Sequence, residues 1–163
     1  MVAQRWLAVA AIVAVVASGA VAGLVYYRDV SAIRDVEVTV IDARLPEDYL
    51  AEIFRNQSLT VTIHMRLSNP SGRDISGMGT DFDIDIGSTH VGAGGFSGVD
   101  VQAHGRVNRT MKVTLSLVDV TAGLLDAVKQ KQFFITLDGH VSGDVLYGLA
   151  RFRQPFTAGY RFP

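Results

Sequence analysis

The chain has no cysteine and only four prolines in 163 residues. Without cysteine there can be no disulfide scaffold, no Cys-x-x-Cys redox pair and no thiolate zinc site. A lack of cysteine fits either side of a membrane, so it does not fix the compartment. Charge of one sign is also lacking: 15 Lys and Arg stand against 16 Asp and Glu, a net charge of −1. That balance offers neither the basic footprint of a nucleic-acid binder nor an acidic tail. Sixteen glycines against four prolines fit tight turns between strands better than disorder. No internal repeat or low-complexity stretch is present.

Charge is missing most conspicuously in one place. From Trp6 to Tyr27 the chain reads WLAVAAIVAVVASGAVAGLVYY, 22 residues without a charged side chain. As a helix this run spans about 33 Å, close to the hydrocarbon thickness of a bilayer. Trp6 at one end and Tyr26 and Tyr27 at the other suit the two interfaces, and Arg5 and Arg28 bracket the segment. Gly19 and Gly23, in a patch with Ser18, Ala20 and Ala22, would let a second helix approach closely. The competing reading is a cleaved signal peptide, with Ala20-Val21-Ala22 as the cleavage site. The apolar run continues to Tyr27 instead of turning polar at that site, which favours an uncleaved anchor. The organisation expected is an anchor over residues 1–28, a polar connector over 29–35 and a domain over 36–163.

Beyond the connector the hydrophobic period changes to two. Val36, Val38 and Val40 alternate with polar residues, as do Leu59 to Leu67 and Thr80 to Ile86, so three strands with one buried face are expected. Pro46, Glu47 and Asp48 precede Leu50, Ile53 and Phe54, which predicts a short helix with those three on one face. Asn69-Pro70-Ser71-Gly72 is a strong turn signal. Gly87 to Gly98 reads as a hairpin with a short strand around Val91. Val99 to Val107 reads as a strand, Asn108-Arg109 as a turn, and Met111 to Leu117 as the returning strand. Asp119 is the expected N-cap of a helix reaching Lys131. Phe133 to Val141 alternates, Gly143-Asp144 is the expected hairpin turn, and Val145 to Phe152 returns. About seven short strands with one polar face each predict a mainly β chain: an antiparallel sandwich with one or two short helices.

A strand closing on Asn69-Pro70, a following β-stretch at Phe82 to Ile86 and then Gly87-x-x-x-x-Gly92 resembles the water-stress and hypersensitive-response (WHy) domain. That domain is the unit of the group 2 late embryogenesis abundant (LEA) proteins. The order of elements after Met111 is similar too, and the resemblance covers roughly residues 36–162. It implies an Ig-like or fibronectin-III-like sandwich and many membrane-anchored, outward-facing relatives. It supplies no catalytic residue and no cofactor. Pro46 to Phe54 and the glycines from Gly92 to Gly98 depart from the family pattern.

Of the groups with chemical potential, Asp81, Asp83 and Asp85 are the sharpest. Alternation puts all three on one strand face about 7 Å apart, where a partner loop could complete a calcium site. No EF-hand spacing accompanies them, and a solvated face paired with Arg or Lys is the preferred reading. The histidines His64, His90, His104 and His140 share no ligand spacing. The Gly92–Gly98 stretch lacks a GK[ST] ending. Arg151 to Phe156 and Tyr160 to Phe162 interleave basic and aromatic residues, and a closing strand with core aromatics is the preferred reading. Asn56 and Asn108 begin N-x-[ST] sequons.

The function expected is therefore non-enzymatic: a single-pass membrane protein presenting a β-surface for envelope or stress protection, desiccation included. Its partners would be the lipid bilayer and other membrane or envelope proteins. No cofactor, resident metal, small-molecule substrate or nucleic acid is expected. The alternative is an accessory subunit of a larger membrane or cell-surface assembly, packed through Gly19 and Gly23. A positive-inside count weakly favours a cytoplasmic domain, with Arg28 and Arg34 against Arg5 and the α-amino group. The family resemblance and the sequons favour the extracytoplasmic side, which is the orientation expected.

Overall fold

The computed structural model describes residues 2–118 and 121–162, with side chains described from residue 12 onward. A long helix, α1 (Val2–Arg34), leads into seven strands and two short helices. The strands are β1 (Glu37–Arg44), β2 (Ser58–Ser68), β3 (Ile75–Ile86), β4 (Thr89–Val101), β5 (Arg106–Ser116), β6 (Phe134–Val145) and β7 (Ala150–Arg161). Helix α2 (Tyr49–Asn56) lies between β1 and β2, and α3 (Ala122–Lys129) between β5 and β6. The strands form two antiparallel sheets, β1-β2-β5 and β4-β3-β6-β7. Their facing sides close an antiparallel sandwich, as the alternation predicts, in keeping with the Ig-like or fibronectin-III-like type that the resemblance implies.

The core follows from that alternation. Along β2, Leu59, Val61, Ile63, Met65 and Leu67 are all buried, and the residues between them are half-exposed. Opposite them stand Phe82, Ile84 and Ile86 of β3 with Ile135 and Leu137 of β6. A second cluster fills the end of the sandwich nearest α1, with Leu67, Ile75, Met78, Val99, Val101, Val141 and Val145 around Ile33.

The expected connector over 29–35 is the principal correction. No proline or glycine interrupts the chain there, and α1 continues to Arg34. Val30, Ala32 and Ile33 are buried in the second cluster. Val30 and Ile33 share one helical face and Ala32 flanks it, so the last turns of α1 form the floor of the core.

The glycine-rich segment is a second correction. Gly92, Gly94, Gly95 and Gly98 lie within β4, one continuous strand of 13 residues. The reason is crowding, by the Thr80 carbonyl beside Gly95 and by the Phe82 ring beside Gly94. A Cβ added at Gly94 would lie 2.9 Å from that ring, and one at Gly139 of β6 would overlap the Asp81 carbonyl oxygen. Glycine in a strand is costly unless a neighbour needs the room.

Several turns also differ from expectation. Asn108 and Arg109 sit inside β5, paired with Arg66 and Met65 of β2, and the turn falls at 102–105. Val99 and Val107 therefore belong to different strands. Gly143 and Asp144 sit inside β6, and the hairpin turns at Leu146–Leu149. In α2 only Ile53 is buried, while Leu50 and Phe54 are exposed, so those three do not share a core face. The described N-cap of α3 is Thr121, whose hydroxyl accepts from the Leu124 N–H. Asp119 lies outside the described residues.

Candidate functional site

Strand directions bring three connections to one end of the sandwich, beside α1. They are the β2–β3 turn (69–74), the β4–β5 turn (102–105) and the β6–β7 turn (146–149). The Asn69 side chain knits the first two. It is only 1% exposed. Its amide donates to the carbonyls of Arg73 (2.7 Å) and Gln102 (3.0 Å), and its Oδ1 accepts from the Ser71 N–H (3.1 Å) and hydroxyl (2.6 Å). The Asn69-Pro70 pair thus closes and braces the base.

Asp29 joins the remaining connection to α1. Its Oδ1 meets Arg73 Nη2 at 2.7 Å, and its Oδ2 accepts the Leu146 N–H at 2.9 Å. The Gln154 amide donates to the Arg34 carbonyl at 2.7 Å. Tyr27 and Arg28 line a shallow depression with Ser71 and Arg73. Both Tyr26 and Tyr27 are exposed. The Arg5 and Trp6 side chains lie outside the described ones. Gly19 and Gly23 have nothing within 4 Å of an added Cβ, so their face of α1 is open. Asp29, Arg73 and Leu146 escape a reading by motif. Their signal is a charged residue just past the apolar run, followed by helically spaced Val30 and Ile33.

The acidic residues occupy the outer face of the four-stranded sheet. Asp81 meets Arg153 Nη2 at 2.7 Å and His140 Nδ1 at 3.9 Å. Asp85 meets His90 Nδ1 at 3.4 Å. Asp83 stands opposite Asp138, which accepts from the Thr157 hydroxyl at 2.6 Å. The remaining histidines stay apart, as their spacing implies: His64 pairs with the Thr110 hydroxyl, and His104 sits in the β4–β5 turn. Among the described residues, no group of three or more His, Cys, Asp and Glu side chains is arranged to hold a metal ion. β3 is an interior strand, so its aspartates do not guard an edge. On the β7 edge, Arg153, Pro155 and Arg161 fill that role. The same strand sends Phe156 against Phe82, with centroids 6.3 Å apart, and the chain beyond it stacks Phe162 on Phe133 at 4.3 Å.

Beside β7, on β1, Arg44 Nε lies 2.6 Å from Asp42 and holds its carboxyl below the usual value of 3.8, with a smaller contribution from the Tyr160 hydroxyl at 3.3 Å. The sequons lie on exposed residues: Asn56 ends α2, and Asn108 sits mid-strand with its Oδ1 accepting from Arg66 Nε at 3.2 Å.

Seven strands in a three-plus-four arrangement define the molecule as an antiparallel sandwich preceded by an apolar helix. No family model and no curated protein matches the chain. Solved structures do resemble it. The solution structure of a protein from Arabidopsis thaliana covers 76% of this chain and 78% of its own, at 15% identity and a TM-score of 0.56. A candidate late embryogenesis abundant (LEA) protein covers 92% of this chain and 85% of its own, at 12% identity and a TM-score of 0.46. A protein from Archaeoglobus fulgidus covers 78% and 96%, at 9% identity and 0.43. At such identities the likeness concerns the fold alone, and the first of the three carries it.

Proposed function

We propose that this chain is a non-enzymatic, membrane-anchored sandwich of the LEA group 2 type, which presents an interaction surface at a membrane in envelope or stress protection. The supporting observation is the continuity of α1. One helix carries an apolar span long enough to cross a bilayer, Ile12–Arg34 among the described residues. Its final turns are buried in the sandwich. A flexible tether would let the domain tumble, whereas a helix sharing the core fixes which end of the sandwich faces the lipid. The Asn69-Pro70 turn and the element order support the family reading. Its partners in this reading are the bilayer and neighbouring envelope proteins, and it takes no cofactor.

The domain is placed outside the cytoplasm in this reading, supported by the outward-facing anchored members of the family it resembles and by the accessible Asn56 sequon. The test is protease treatment of intact cells or spheroplasts, with the domain followed by antibody, alongside alkaline extraction of the membranes. Release of the chain by alkali overturns the anchor. Protection of the domain until the membrane is broken overturns the orientation. A second reading, an accessory subunit of a larger assembly, draws on the open Gly19 and Gly23 face. Stoichiometric companions in a mild-detergent extract favour it over a lone anchor.

A further inference from the structure

The β6–β7 turn is apolar, strained and highly exposed. Tyr147 is 88% exposed and Leu149 86%. Leu146 (φ 53°), Tyr147 (φ 59°) and Gly148 (φ 85°) are three successive left-handed residues. Glycine, asparagine and aspartate are the residues that adopt such turns readily, and bulky side chains do so at a cost. Leucine and tyrosine there incur the backbone cost without burial in the sandwich. Strain of this kind, kept in an exposed apolar tip, points to a use for the side chains.

The position of the tip supplies the use. The Asp29 bond to the Leu146 N–H pins it against α1. An open, mainly apolar groove of about 530 Å³ runs between the two, lined by Ala17, Ser18, Val21, Ala22 and Val25 on the helix and by Leu146, Tyr147 and Leu149 on the turn. Val21 lies six residues inside Tyr27 on the apolar run, a depth of about 9 Å along a helix. Any bilayer that surrounds α1 at Val21 must therefore also meet the turn beside it. Interfacial elements are buried about 5–10 Å deep, with aromatic side chains at that level.

We propose that the β6–β7 turn is a second membrane contact: a wedge whose Tyr147 and Leu149 insert among the lipid acyl chains next to α1. This rests on the reading of α1 as a bilayer-spanning anchor. Lipid, rather than a protein helix, is the occupant chosen for the groove, because one of its walls is the face of α1 that runs on as the apolar span. Gly19 and Gly23 lie on the opposite side of the helix, about half a turn away at 100° per residue. A partner helix docked there would leave the wedge in lipid.

The absence of cysteine makes the test direct. Tyr147→Cys, Leu149→Cys, Leu24→Cys and Val118→Cys are made singly in the full chain, labelled with an environment-sensitive fluorophore and reconstituted. The vesicles are phosphatidylcholine and phosphatidylglycerol carrying nitroxides on the acyl chains. Labels at 147, 149 and 24 are expected to lose most of their emission to the lipid nitroxide and to resist aqueous iodide. The label at 118, at the far end of the sandwich, is expected to do the reverse. Lipid quenching at 24 with iodide quenching at 147 and 149 overturns the wedge and leaves the anchor standing. Iodide quenching at all four positions overturns both.

Discussion

The Asp29 carboxylate lies 2.7 Å from the Arg73 guanidinium, joining the end of the apolar run to the turn after β2. Asp29 is largely buried and also accepts the Leu146 N–H. One side chain thereby ties α1 to two of the three connections at the base of the sandwich. Removing it leaves Arg73 and the Leu146 N–H without these partners. Asp29→Ala is expected to cost about 1–3 kcal/mol, the range for leaving buried polar groups unmet. Asp29→Asn keeps an acceptor for Leu146 and should cost less. Urea unfolding of the two variants in the same detergent checks the order.

The outer aspartates call for the opposite expectation. Asp81→Asn combined with Asp83→Asn should shift stability by only about 0–1 kcal/mol, because exposed pairs contribute little. Loss of the Asp81–Arg153 contact is offset by relief of the Asp83–Asp138 opposition. Thermal melts with and without calcium are the measurement. A large calcium-dependent stabilisation of the original chain, absent from the double variant, would establish a metal site that the geometry does not predict.

Gly139 offers a steric test of why the strands carry glycine. Gly139→Ala places a methyl against the Asp81 carbonyl and the Phe82 backbone of the neighbouring strand, and should cost at least about 1–3 kcal/mol, as overpacking does. Gly19→Ala, with open space around it, should leave the sandwich unchanged. Comparing their denaturant midpoints separates packing glycines from permissive ones.

These glycines also explain what sequence patterning captured and what it missed. β2 was legible to within a residue because its two faces differ at every position from Leu59 to Leu67. β4 was not, because Gly92, Gly94 and Gly95 erase the alternation, and the reasons lie in distant neighbours: Thr114 beside Gly92, the Phe82 ring beside Gly94 and the Thr80 carbonyl beside Gly95. The turn at Leu146–Leu149 breaks the usual turn chemistry, and Gly143-Asp144 imitates it three residues too early. The end of α1 was hidden by charge: Arg28, Asp29, Arg34 and Asp35 suggested a solvated linker, while Val30, Ala32 and Ile33 between them carried the core face. Of the candidate site, the apolar helix and the Asn69-Pro70 brace were legible, and the left-handed β6–β7 turn pinned by Asp29 was not.

The Asp42–Arg44 contact sets a pH expectation. The folded-state pKa of Asp42 is lowered, so its contribution is present above the unfolded value and is lost as pH falls through the folded one. Arg44→Ala removes the largest cause, and Asp42 should then titrate nearer to 3.8. Carboxyl chemical shifts followed against pH give the two titrations, and identical midpoints would discount the contact.

The last expectation concerns where the domain begins. If residues 29–35 were a linker, starting the chain at Asp29 or at Val36 would be equivalent. The buried positions of Val30, Ala32 and Ile33 say otherwise. Deleting Val30 and Ile33 alone removes about 3–6 kcal/mol of apolar burial, and total domain stability is about 5–15 kcal/mol. The deletion also exposes Val101, Val141 and Val145 at the floor of the core. A chain beginning at Asp29 should therefore be soluble, monomeric and β-rich by circular dichroism. One beginning at Val36 should melt much earlier or aggregate. Equal melting temperatures for the two would mean that the end of α1 adds nothing to the sandwich, and α1 could not then orient the domain on a membrane as one rigid helix.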